Sequence, residues 1–102
     1  MLRNIIKEWL TSSASSQIII KIYLFGSYIW KKKYNDIDIL LIYSPTNESD
    51  YLKIKKCKAE LCNIIQQKLK KNADIILLSE NEEKTSSFAE KESAQLIWER
   101  NL

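Results

Sequence analysis

Leu24-Phe25-Gly26-Ser27, followed nine residues after the serine by Asp36-Ile37-Asp38 within Asn35-Asp36-Ile37-Asp38-Ile39-Leu40-Leu41-Ile42-Tyr43, decides how this chain is read. An apolar run ends in Gly-Ser, a short basic segment intervenes, and a second apolar run opens with two carboxylates spaced i, i+2. On a strand, i and i+2 point to the same face, with Cα atoms roughly 6–7 Å apart. Carboxylates so placed can share divalent cations, which in two-metal sites lie about 3.5–4 Å apart. Mg²⁺ prefers oxygen ligands and typically takes one or two carboxylates plus substrate phosphates. Gly26-Ser27, placed before a turn or helix start, offers backbone N–H groups and a hydroxyl to a phosphate. Together the two halves describe a site for a metal-bound nucleoside triphosphate.

The surrounding composition narrows the reading. A chain of 102 residues, 45 % hydrophobic, is expected to form one domain over 1–102 with a single modest core. The one glycine is Gly26 and the one proline Pro45. The residue that takes φ > 0 cheaply, or lets a ligand approach closely, therefore stands inside the proposed phosphate turn. There is no histidine, which excludes Ser-His-Asp chemistry and histidine-based metal sites. Cys57 and Cys62 on one helix are too far apart around and along it for a disulfide, so reduced thiols in an intracellular, cytoplasmic protein are expected. No signal peptide or membrane span is read. Net charge is +3 but unevenly spread: 53–71 holds seven lysines against Glu60, and 80–100 holds six glutamates against Lys84, Lys91 and Arg100. The lysines form a solvated helix face or attract phosphate or nucleic acid.

In chain order, Leu2 to about Leu10 reads as an amphipathic helix and Thr11 to Ser16 as a connection. Gln17 to Phe25 reads as a strand with Ile18, Ile20, Ile22 and Leu24 on one face. Ser27 caps a short helix through Tyr28, Ile29, Trp30 and Lys31, and Lys31, Lys32 and Lys33 meet phosphate or keep the turn soluble. Asp36 to Tyr43 reads as a central strand buried on both faces, where an aspartate is costly unless paired or metal-bound. A helix capped by Ser49 or Asp50 runs to about Lys71 and stops at Asn72. Ala73 to Leu78 is a third strand whose Asp74 completes a three-carboxylate cluster if it lies beside the second. Ser79 to Ser86 is polar. Ser87-Phe88-Ala89-Glu90 carries the capping-box pattern of a last helix, with Phe88, Ala94, Ile97 and Trp98 at helical spacing.

Strand, Gly26-Ser27, short helix, Asp36-Ile37-Asp38 opening a hydrophobic strand, and Asp74 opening a third: this order resembles the minimal nucleotidyltransferases of the DNA polymerase beta superfamily, over nearly the whole chain. The resemblance implies an α+β (α/β) nucleotidyltransferase fold, a small mixed β-sheet of three or more strands flanked by helices. It implies an enzyme that uses two Mg²⁺ ions held by Asp36, Asp38 and Asp74, with Asp74 also a candidate base. Gly26 and Ser27 would hold the β and γ phosphates. The implied reaction moves a nucleoside monophosphate, AMP from ATP, onto a hydroxyl of a partner protein. The implied setting is an antitoxin paired with a small helical HEPN ribonuclease. The chain departs from the family in having fewer residues between Ser27 and Asp36, and lysines where an arginine often follows Gly-Ser. Two other functions compete: a catalytically silent partner-binding protein of the same fold, and a nucleic-acid end-modifying nucleotidyltransferase drawing on the lysines of 53–71.

Overall fold

A computed structural model describes residues 2–13, 17–26 and 36–100. Helix α1 (Leu2–Ser12) leads into strand β1 (Ile19–Phe25), and β2 (Asp36–Tyr43) is followed by the long helix α2 (Glu48–Leu69). Strand β3 (Asn72–Ser79), short helices α3 (Glu80–Ser86) and α4 (Phe88–Lys91), and strand β4 (Gln95–Glu99) complete the order. The sheet runs β3-β2-β1-β4, with β2–β3 parallel and the other pairs antiparallel. This is the mixed sheet between helices that the sequence implied. None of the described helices is long and apolar enough to cross a membrane.

Two apolar clusters hold the layers together. On one face Ile22, Leu24, Ile37, Ile39, Leu41 and Ile75 pack against Leu2, Ile6 and Trp9 of α1 and Ile54, Cys57, Leu61 and Ile65 of α2. On the other, Phe25, Leu40 and Ile42 pack against Phe88 and Ala89. Leu40, Leu41 and Ile42 are at most 1 % exposed, so β2 is covered on both sides and its unbroken apolar run is explained. Cys57 and Cys62 are free thiols.

The alternation expected along β1 changes phase. Ile19 pairs with Tyr43 but Lys21 with Ile42, an extra residue on β1. That bulge turns Ile20 to the smaller cluster and leaves Ile19, with Ile22 and Leu24, in the larger one. A strict period of two cannot anticipate a bulge. The expected helix 28–31 and Lys31, Lys32 and Lys33 lie outside the described residues.

The end of the chain corrects the sequence reading. The capping box belongs to Ser79 and Glu82, which opens α3 across the segment read as merely polar. Ser87 is left-handed (φ 53), as is Ser93 (φ 51), and the helix between them has four residues. Residues 95–99, read as the last helix, form β4 against β1, with Trp98 opposite Ile22 and Leu96 opposite Tyr23. The edge of β1 needs backbone partners, and a short helix is marginal in water, so edge pairing prevails over helical spacing. Asn72, read as a helix stop, begins β3; Lys70 in the left-handed conformation ends α2 instead.

Helix α2 is capped by Asn47, not Ser49 or Asp50: its Oδ1 accepts from Asp50 N–H at 3.2 Å. Asp50 locks the loop. It is 3 % exposed, and its Oδ2 accepts from Thr46 N–H at 2.8 Å and Thr46 Oγ1 at 2.9 Å. These bonds, the backbone one foremost, hold its carboxyl below the usual value of 3.8. A lowered folded value means stability present above the unfolded value and lost as pH falls through the folded one. Asp50→Asn is therefore expected to lower the unfolding temperature at neutral pH, with the gap from wild type closing below pH 3.8, as thermal melts across pH would show.

Candidate active site

β1 leaves the sheet at Phe25, the last residue paired with β2, and its partner is Asp38. The next residue, Gly26, turns the chain with φ 72. A Cβ built on Gly26 would collide with Asp38 Oδ2 and come within 3.0 Å of its Cγ. Glycine is thus required here twice, for the left-handed backbone and for the space the carboxylate occupies. The turn and the acidic strand, separate in sequence, meet at this point.

The parallel ladder adds the third carboxylate. Asp38 pairs with Asp74, and Asp36 with Asn72. Paired residues on adjacent strands share a face and lie about 4.8 Å apart across the ladder. Phe25, Asp38 and Asp74 consequently stand in one row across three strands, with Gly26 next to it against the Asp38 carboxylate and Asp36 two residues earlier on β2 on the same face. Asp38 is half-buried, while Asp36 and Asp74 are exposed. Among the described residues no three His, Cys, Asp or Glu side chains are gathered into a metal-holding cluster. The carboxylates are aligned on one face and not closed around a point. Ser27 and its phosphate role lie outside the described residues.

The neighbours of the row are informative. Phe25, opposite Asp38, meets Phe88 edge-on, with ring centroids 5.3 Å apart at 87°. α4 thereby braces the strand end that carries the site. Phe88 was read on a helix, as found, but no local sequence signal pairs residue 88 with residue 25. Behind Asp74, the Cys62 thiol donates to Ala73 O at 3.7 Å. Burial pushes this thiol up, Lys58 pulls it down, and Asp74 pushes it up further. At the far end of β2, burial and then Glu82 and Tyr51 raise the Tyr43 hydroxyl.

Asp36, Asp38 and Asp74 offer, on one sheet face, the hard oxygen donors that a divalent cation takes, and Gly26 lets the chain turn against one of them. The family model described as polymerase beta, nucleotidyltransferase, matches residues 6–102. The chain belongs to that family. Among solved structures, its fold is similar to that of a toxin-antitoxin MntA-HpeT mutant, at 19 % identity over 97 % of this chain and 74 % of that one (TM-score 0.61). It is similar to a toxin-antitoxin with AMP-PNP, at 21 % identity over 99 % and 76 % (TM-score 0.60). A candidate nucleotidyltransferase from Sulfolobus solfataricus matches at 24 % over 97 % and 81 % (TM-score 0.61). At these identities the likeness is one of fold. No curated protein matches the chain. Within this nucleotidyltransferase, the place where Gly26 meets Asp38 beside Asp74 is the natural one to look for chemistry.

Proposed function

We propose that this nucleotidyltransferase transfers a nucleoside monophosphate, AMP from ATP, to a hydroxyl of a partner protein, and that it is the antitoxin of a toxin-antitoxin pair whose partner is a small helical HEPN-type protein. The observation that carries the reading is that Asp38 both lies against Gly26 and pairs with Asp74. The likeness in fold to a toxin-antitoxin MntA-HpeT mutant and to a toxin-antitoxin with AMP-PNP supports the partner and the nucleotide.

In this reading Asp36, Asp38 and Asp74 would hold two Mg²⁺ ions, which when bound would supply charge against the triphosphate and make the acceptor hydroxyl more acidic. Gly26 and Ser27 grip the β and γ phosphates through backbone N–H groups and the Ser27 hydroxyl. Asp74 takes the proton from the acceptor hydroxyl. The bond from the acceptor oxygen to the α-phosphorus forms as the bond to the bridging oxygen breaks, and pyrophosphate leaves. Positioning and electrostatics supply most of the rate in such transfers. Asp38 is central because it joins both halves: it lies against the turn at Gly26 and is the ladder partner of Asp74.

The test is incubation of the protein with a candidate HEPN-type helical protein, Mg²⁺ and each α-labelled triphosphate in turn. Label is expected on the partner, from ATP foremost, and absent with chelator. Label on RNA or DNA and none on protein would favour nucleic-acid end modification; no label at all, with the partner still bound, would favour a silent binding protein.

A further inference from the structure

The sheet has two unlike edges. β4 is short, is bulged against β1, and ends in Glu99, paired with Lys21 at 3.4 Å. Those are the devices by which proteins protect an edge strand. β3 is longer and unbulged, and its one charge, Asp74, lies near its start. Its ladder with β2 runs without a register shift from Asp36–Asn72 to Tyr43–Ser79, and Ile75-Ile76-Leu77-Leu78 holds neither charge nor proline. Among the described residues β3 pairs on one side only. Its Ile76, Leu77 and Leu78 are half-exposed, where Leu40, Leu41 and Ile42 beside them are buried.

Against Leu78 of this strand lies a hollow of about 400 Å³, lined also by Asn81, Glu82, Thr85 and Ser86 of α3. The buried Ser86 hydroxyl has no hydrogen-bond partner. Leu78 and Asp74 are four residues apart, so they share a face at about 13 Å separation. At the Asp74 end, Lys70 and Lys71 directly precede the strand.

We propose that the acceptor protein docks as an added strand along the outer edge of β3, an extended segment with a hydroxyl residue at the Asp74 level and a large apolar residue four positions away. The apolar side chain fills the hollow by Leu78, and the hydroxyl is carried beside Asp74. Main-chain hydrogen bonds give affinity and alternate side chains give specificity, as in other strand additions. The lysines favour an acidic residue flanking the hydroxyl. The inference rests on the transfer reading for what the docked segment is for, but not for whether it docks.

The probe is a short synthetic peptide of β-branched residues with tyrosine and leucine four positions apart and a glutamate next to the tyrosine. Two controls accompany it, one with that spacing reduced to three and one with alternate backbone amides N-methylated. With the full chain, the first peptide is expected to slow amide hydrogen exchange across 72–79. It is expected to bind at least about tenfold more tightly than either control. Thr85→Trp, which fills the hollow from an exposed helix position, should weaken the peptide similarly and leave Mg²⁺-dependent ATP binding unchanged. Equal binding of the N-methylated peptide, or no binding of any, overturns the docking mode. Concentration-dependent self-association that protects the same amides without peptide also overturns it, making a second copy the occupant. Protection of 72–79 without label transfer keeps the docking and fails the transfer reading; label on all peptides alike does the reverse.

Discussion

Asp38→Asn is expected to reduce Mg²⁺-dependent transfer from ATP by a factor of about 10²–10³, the usual scale for loss of one electrostatic stabiliser. The side chain is half-buried and lies against Gly26, and an amide of the same shape keeps that packing. What it removes is the negative charge between two other aspartates on one sheet face. A group that bridges two halves of a site matters more than one at its margin. The change should therefore exceed that of Asp36→Asn, whose ladder partner is the neutral Asn72. Two readouts separate metal loss from misfolding. Mg²⁺ with ATP should raise the unfolding temperature of the wild type by mass action and leave that of the variant unmoved. Without them the two proteins should melt within a few degrees of each other. Transfer retained at the wild-type rate would remove Asp38 from the chemistry.

Gly26→Val is expected to cost about 1–3 kcal/mol of stability and to abolish transfer. A β-branched residue at φ 72 is a backbone outlier, and its Cβ would fall on Asp38 Oδ2. In a domain of about 100 residues each kcal/mol lowers the unfolding temperature by about 4–8 °C. Gly26→Asn separates the two causes. Asparagine tolerates the left-handed backbone, so it relieves the first and keeps the collision. It should melt closer to wild type than Gly26→Val and still lose transfer. Full transfer in Gly26→Asn would mean that the contact with Asp38 has no part in the site.

The two variants probe a site of which half was legible in the chain. Gly26 and the pair Asp36 and Asp38 stood out because they break apolar runs that otherwise read as buried strands. Asp74 entered on the condition that its strand lies beside the second, and the parallel register Asp38–Asp74 is that arrangement. The contact of Phe88 with Phe25 was invisible, because residues so far apart in the chain leave no local pattern. The hollow beside Leu78 was missed because the segment that walls it was read as merely polar and is a helix.

What the amino-acid order settled alone was local. Apolar runs bounded by polar segments set β1, β2, β3 and α2, and a lone glycine marked the turn, since period and backbone freedom act within a few residues. What folding decided was everything that depends on which edge is free. Residues 95–99 became a strand because β1 had an edge to cover, Ile20 changed sides at a bulge, and Asp74 reached Asp38 because α2 returns the chain parallel to β2. Backbone groups must find partners wherever the packed layers leave them, and the nearest partner in space is set by the whole assembly of layers.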